Sequence, residues 1–354
     1  MAILTVSNVA IKGMAAGVPE KTLDNLEYEY ISVQEREMFI KTTGVRKRHA
    51  AEVGFTTSDL CYSAAEKLFK ELKWNKEDIQ ALVFVSQSRD YLLPATACIM
   101  QNRLGLPKAC LAFDLELGCS GYVYGLSVLG SMMQTGQIKR ALLMVGDTST
   151  FHTAYTDKST YPLFGDAGTV TALEFNPTVG PMHFNLQTDG SGHEAIIIRD
   201  AGGRNYGSPA SFEPIEFEPG IVHNKVQLEL HGIEVFNFSL KEVNLNILDL
   251  LSTTNTSIDC IDLFFFHQAN KLINESVRKK LKISSEKAPL SIEEYGNTSS
   301  ASIPVTMLSQ SADKLSSCKN RILLCGFGVG LSWGSVWFDA EPFVCLPIIE
   351  VPKP

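Results

Sequence analysis

Short unbroken apolar runs alternate along this chain with longer stretches in which apolar residues recur every third or fourth position. The runs Ala81–Val85, Ala141–Val145 and Leu263–Phe266 are too short for helices and show no polar alternation, so they read as strands buried on both faces. Elsewhere the period changes. Tyr122, Leu126, Leu129 and Met133 mark one helical face, and Gly136 supplies its stop. Ala301, Val305, Leu308, Ala312 and Leu315 mark another, with Pro304 in the opening turn, where its missing N–H does no harm. The N-terminal segment from Met1 to Lys12 reads as a strand. Strands alternating with helices throughout predict an α/β protein.

The pattern is written twice. The first half carries ALVFVSQSRD (81–90), KACLAFDLELGCSG (108–121) and KRALLMVGDT (139–148). The second carries DLFFFHQANK (262–271), KAPLSIEEYGNTSS (287–300) and KNRILLCGFG (319–328). Each set reads as a buried strand, a strand running into a turn and helix, and another buried strand. Gln87 and Cys119 are 32 positions apart, His267 and Asn297 30; Cys119 and Gly146 are 27 apart, Asn297 and Gly326 29. Three matches in one order predict a duplication, with residues 1–180 and 181–354 as the two halves. If the halves pack about a pseudo-dyad, Cys119 and Asn297 occupy equivalent places, and His267 lies in the corresponding loop one strand earlier.

Composition narrows the class. The chain has 354 residues, 45% hydrophobic and 20% charged, the balance of a soluble globular protein with a large core. A net charge of -8 disfavours a general nucleic-acid binder, which needs a basic surface. The eight cysteines form no CxxC pair, so no zinc ribbon or other metal site is expected. Most read as reduced, buried, small apolar residues, and Cys119 therefore needs its own argument. No basic leader or cleavage pattern opens the chain, and no apolar run approaches the roughly 20 residues that span a bilayer. A cytoplasmic protein without membrane contact is expected.

Position sets Cys119 apart. The helical stripe beginning at Tyr122 puts Cys119 at a helix N-terminus, among unpaired N–H groups and the positive dipole end, where a thiolate is favoured. Small residues in LGCSG let a substrate approach the sulfur. His267 falls at the carboxyl end of an apolar strand, where α/β proteins place ligands. Asn297 sits in YGNTSSAS, and CGFGVGLSWGS (325–335) is glycine-dense, which lets backbone N–H groups face a reacting oxygen. Each has an ordinary alternative: a buried structural cysteine, a satisfied core histidine, a turn or N-cap asparagine, a tight glycine turn.

As an ordered set, LGCSGYVYGL, FGDAGT (164–169), DGSGHE (189–194), HQAN, YGNTSSASIP and GFGVGLSWGS resemble the ketoacyl-acyl-carrier-protein synthase III family, from about residue 40 to 339. The resemblance implies a thiolase-like five-layer αβαβα fold, a homodimer and decarboxylative Claisen condensation. It implies that Cys119 takes an acyl group from a thioester, coenzyme A being substrate and not a resident cofactor. The backbone N–H groups of Cys119 and Val329 would form the oxyanion hole, although the family usually has glycine where Val329 stands. His267 and Asn297 would stabilise the enolate formed as malonyl-acyl carrier protein loses carbon dioxide. Leu93 falls in the loop expected to cross the dimer into the partner's acyl pocket.

Some positions depart from the pattern. Met38 and Thr42 stand where the family stacks the coenzyme A adenine between tryptophan and arginine, and Lys158 replaces a further coenzyme-contacting arginine. Leu272 stands where an arginine commonly follows HQAN, leaving Lys271, Arg278, Lys279 and Lys280 as the basic set for the coenzyme or an acidic carrier protein. These departures leave both coenzyme A and the carrier protein open as carriers of the acyl donor. The stretch 200–226 and the tail 341–354 extend past the family pattern. Two other readings stay open: transfer of the Cys119-bound acyl group to an amine, alcohol or water, and a non-catalytic partner subunit.

Overall fold

The computed structural model of the protein describes residues 2–354. The strands of its main sheets are β1 (Ala2–Val6), β2 (Val9–Pro19), β3 (Ala81–Val85), β4 (Leu111–Leu115), β5 (Arg140–Asp147), β6 (Ala167–Phe175), β7 (Met182–Thr188), β8 (Leu263–Phe266), β9 (Asn320–Gly328), β10 (Ser332–Ala340), β11 (Val344–Cys345) and β12 (Ile349–Val351). They form two large sheets, ordered β11-β2-β6-β5-β3-β4, with β12 also on β2, and β1-β7-β10-β9-β8.

The duplication is visible in strand direction. Along β2-β6-β5-β3 the pairings run antiparallel, antiparallel, parallel. Along β7-β10-β9-β8 they repeat in the same order. The second copy departs from expectation in one place. The segment 287–291 forms no strand equivalent to β4; Pro289 lacks an N–H for a ladder, and Ile292–Tyr295 wind directly into a helical turn. The two ends of the chain also cross over. β1 pairs with β7 of the second sheet, whereas the tail strands β11 and β12 lie on β2 of the first. A cut at residue 180 falls between β6 and β7 but divides the sheets only in part.

Strand periodicity distributes side chains between layers. In β3, Ala81, Val83 and Val85 face a central core shared by both sheets, while Leu82 and Phe84 face an outer one. In β8, Leu263 and Phe265 point to the centre, and Phe264 and Phe266 point outward. The central layer is filled by helices α3 (Gly121–Met133) and α5 (Ser302–Ser317), through Tyr122, Leu126, Leu129, Val305 and Leu308. One outer layer includes α2 (Thr57–Leu72); the other includes α4 (Lys271–Lys280). Helix α1 (Val33–Thr43) lies beyond the sheets, capped by a Ser32–Glu35 capping box. These layers stack as αβαβα. None of the described helices is long and apolar enough to cross a membrane.

The stretch 200–226 contains a small hairpin, Ile215–Glu218 with Ile221–His223, resting on residues 152–158. There Val222 N–H donates to the Thr156 carbonyl and Lys158 N–H to that of Gly220.

Phe265 is fully buried in the central layer. Phe265→Ala is expected to lower unfolding stability by about 3–5 kcal/mol. Denaturant titration measures it, and a loss under about 1 kcal/mol would show that this layer repacks freely.

Candidate active site

Strand β4 ends at Leu115, and the next five residues turn into α3, leaving Cys119 just before the N-cap residue Ser120. Strand β9 presses its backbone onto that turn. A Cβ at Gly326 would lie 2.9 Å from the Cys119 carbonyl oxygen, and one at Gly328 would lie 2.8 Å from Sγ. Gly328 has φ 153, in the region that favours glycine. Only glycine permits this approach, which brings the Val329 N–H to the sulfur alongside the N–H of Cys119 itself. The N–H groups of Val329 and Cys119 both favour the charged form of the sulfur.

The thiol is not ionised at rest. Burial pushes it up to about 11, with nearby Asp147 adding to the effect; the Val329 N–H, the Ser299 side chain and its own N–H pull only partly back. The helix terminus was expected to favour thiolate, but desolvation inside the seam outweighs it.

His267 follows β8, its N–H held by the Cys325 carbonyl at 2.8 Å. Its ring stands edge-on to Phe327, with centroids 5.4 Å apart, and Nδ1 lies 2.7 Å from Ser302 Oγ at the start of α5. Burial pushes its pKa down to about 3, so the imidazole is neutral. Asn297 is held at both ends of its backbone, by the Leu163 carbonyl at 2.9 Å and the Gly165 N–H at 3.0 Å. Its Oδ1 accepts from the Ser299 N–H at 2.9 Å, which fixes the amide so that Nδ2 is the donor end. Nδ2 reaches the Ala269 carbonyl only at 3.4 Å and keeps a second N–H in reserve.

Cys119, His267, Asn297 and Val329 line one cavity of about 400 Å³. Its outer wall is apolar, built from Ile196, Ile198, Leu228, Leu230, Val235 and Ile273. Sequence reading had passed over other polar residues of the same cavity: Asp147, Ser299, His152 and Glu116. Asp147 ends β5, is buried, and accepts from Gln87 N–H at 2.7 Å, Ser86 Oγ at 3.1 Å, Ser300 Oγ at 2.6 Å and Ser300 N–H at 3.2 Å. Burial nonetheless raises its pKa. An acid closing an apolar strand, in MVGD, was the available signal.

The remaining sequence candidates lie outside this cavity. Leu93 is 87% exposed, beside exposed Tyr91 and Leu92. Met38 and Thr42 are exposed on α1, and Lys158 reaches Glu35 at 3.6 Å. On α4, Arg278 is committed to a fork on Glu275 and to the Ile283 carbonyl, and Lys280 donates to Leu240 O. Lys271 and Lys279 are exposed, Lys279 lying 3.9 Å from Glu275.

Two like sheets stacked as αβαβα define a thiolase-type architecture, and the cavity holding Cys119, His267 and Asn297 lies within it. Residues 113–190 match the family model for 3-oxoacyl-[acyl-carrier-protein (ACP)] synthase III, and residues 251–340 match the model for its C-terminal part. The chain is 33% identical over 330 residues to beta-ketoacyl-[acyl-carrier-protein] synthase III of Syntrophomonas wolfei, covering 93% of this chain and 96% of that one. Against the Staphylococcus aureus enzyme of the same name it is 33% identical over 331 residues, covering 93% and 98%. The crystal structure of 3-oxoacyl-(acyl-carrier protein) synthase from Burkholderia xenovorans superposes with TM-score 0.92 at 38% identity, covering 99% of each chain. The chain therefore belongs to the beta-ketoacyl-acyl-carrier-protein synthase III family. Xanthomonas campestris OleA, at 19% identity and TM-score 0.77 over 95% of this chain and 98% of that one, shares the fold.

Two outcomes follow from the geometry. Gly328→Ala puts a methyl carbon against Sγ, and acylation of Cys119 is expected to slow at least about tenfold, or about 1.4 kcal/mol of barrier. Rapid-quench mass measurement reads this, and an unchanged rate would mean the backbone need not approach the sulfur. His267 binds its proton less readily folded than unfolded, so the unfolded state takes up more protons between pH 6.5 and about 3. Its contribution to stability is whole above pH 6.5 and is lost as pH falls toward 3. The stability difference between the protein and His267→Asn should shrink over that window in denaturant titrations; a constant difference would contradict a neutral buried imidazole.

Proposed function

We propose that this chain is a 3-oxoacyl-[acyl-carrier-protein] synthase III in which Cys119, His267 and Asn297 carry the reaction. The observation supporting this most is that a buried sulfur flanked by two backbone donors shares one cavity with a neutral imidazole and an oriented carboxamide. In the first half-reaction the Cys119 sulfur attacks the carbonyl of an acyl thioester. The oxyanion points at the N–H groups of Cys119 and Val329, and the donor thiol leaves. Malonyl-acyl carrier protein then enters, and His267 and Asn297 donate to its thioester oxygen as carbon dioxide departs. A neutral imidazole is a donor that need not shed charge to work. The enolate carbon attacks the acyl carbonyl, and the C–S bond to Cys119 breaks with the sulfur regaining a proton.

The apolar outer wall suits the slender arm that coenzyme A and carrier protein both present, so either can deliver the acyl group. A homodimer is supported by the exposed apolar loop Tyr91-Leu92-Leu93, which a second copy would cover. Lys271 and Lys279 give α4 a cationic face for an acidic carrier protein.

Intact-mass measurement after exposure to acyl-coenzyme A and acyl-carrier protein of several chain lengths, together with carbon dioxide release, tests the scheme. Cys119→Ala should gain no adduct. His267→Ala and Asn297→Ala should acylate but release carbon dioxide at least about a hundredfold more slowly, near 3 kcal/mol. An adduct-forming enzyme that leaves malonyl-carrier protein intact would redirect the reading to simple acyl transfer.

A further inference from the structure

The cavity around Cys119 has two walls of different character. One is the apolar wall already described. The other is a rim formed by the loops that leave β4, β3 and β5, three neighbouring strands of the first sheet. These loops contribute Glu116, Gln87, Ser149 and His152 to the lining. Hydrogen bonds fasten them together: Gln87 N–H donates to Asp147 Oδ1 at 2.7 Å, Thr148 N–H to Ser88 Oγ at 2.8 Å, and Ser86 N–H to the Leu115 carbonyl at 3.2 Å. Rim and apolar wall meet where Leu228 N–H donates to the His152 carbonyl at 2.7 Å.

Three side chains of the rim are uncommitted. Among the described residues, the Gln87 amide, the Ser149 hydroxyl and the His152 ring have no hydrogen-bond partner, Gln87 bonding only through its backbone. The Gln87 amide lies next to the nucleophile's turn. A Cβ on Gly118, the residue before Cys119, would strike Gln87 Oε1 and come 2.8 Å from Val329 Cγ1. Burial lowers the His152 pKa, so its imidazole is neutral. Amide, hydroxyl and neutral imidazole can each donate and accept, which is what a hydroxyl group requires of its partners. Charge is not provided for. Asp147 already accepts four bonds, Glu116 lies 3.4 Å from Arg89, and no lysine or arginine lines the cavity among the described residues. The apolar wall includes Ile273 of α4, the helix whose Lys271 and Lys279 are exposed. In the proposed reaction the carrier's arm runs along that wall from α4, and the acyl chain extends the other way, toward the rim.

We propose that the acyl group Cys119 accepts carries a neutral hydroxyl on its chain, recognised by Gln87, Ser149 and His152. The hydroxyl donates to one of these groups and accepts from another. It takes no part in the chemistry: the sulfur displaces the donor thiol as in any acyl transfer, and the chain keeps its hydroxyl. A plain alkyl chain against the same rim would strip water from the amide, the hydroxyl and the imidazole and return no hydrogen bond. A carboxylate on the chain would meet Glu116 and Asp147 with no cation in the cavity to balance it. Selection therefore follows from what each chain leaves unpaired, the same asymmetry by which a polar pocket rejects an analogue lacking its hydroxyl.

The inference rests on the acyl-transfer reading and has its own test, single-turnover acylation of Cys119 followed by intact mass. The donors are matched four- and six-carbon acyl groups with and without a hydroxyl on the third carbon, in both enantiomers, together with succinyl, each on coenzyme A and on carrier protein. One hydroxyacyl enantiomer should load at least about tenfold faster than its alkyl counterpart, with succinyl slowest. Gln87→Leu and Ser149→Ala should each lower that preference at least about threefold, and the double variant should bring it close to one. A merely structural defect would slow both donors alike and leave their ratio unchanged. Alkyl groups loading as fast as either hydroxy enantiomer, succinyl loading fastest, or a ratio that survives both substitutions overturns the assignment. Failure of every donor to form a Cys119 adduct would instead sink the acyl-transfer reading, and this inference with it.

Discussion

Close backbone contact between β9 and the turn before α3 is the constraint on which the site depends. Gly326 and Gly328 have no side chains, so the strand can lie against Cys119 and deliver the Val329 N–H to its sulfur. A Cβ at either position would come within 2.9 Å of Cys119, so a larger residue would push the strand and the turn apart. The architecture that buries the core and the geometry that could stabilise an oxyanion are therefore the same contact.

Burial sets the second theme. Taking ionisable groups out of water disfavours whichever form is charged. Here it raises Cys119 and Asp147 and lowers His267 and His152, so the thiol and the His267 imidazole rest uncharged. Reaction in such a place proceeds best by meeting new charge with fixed dipoles. The two backbone donors, the oriented Asn297 amide and the neutral imidazole are of that kind.

Much of this was legible in the sequence because function and fold share a spacing. Buried strands without alternation, and a pattern repeated in two halves, are dictated by a two-sheet core; Cys119, His267 and Asn297 fall at strand ends or before helices as a result. What escaped notice depended on three-dimensional surroundings. Nothing in MVGD distinguishes Asp147 from any acid that ends a strand until Ser86, Gln87 and Ser300 are seen to surround it. The thiol's protonation was misjudged because a helix end is visible in sequence whereas desolvation is not. The absent strand at 287–291 shows the reverse: a duplication predicted an element that Pro289 and the helical turn at Ile292–Tyr295 displaced.

In the proposed reaction the backbone at Cys119 and Val329 holds the acyl oxygen while the carboxamide and imidazole wait for the second substrate. A crystal structure of the acyl-enzyme trapped at Cys119 examines this directly. The account predicts the acyl carbonyl oxygen within about 2.7–3.1 Å of both the Cys119 and Val329 nitrogens, with Asn297 Nδ2 and the His267 ring free toward the cavity. An acyl oxygen turned instead onto His267 and Asn297, or an acyl group carried by a different residue, would contradict it.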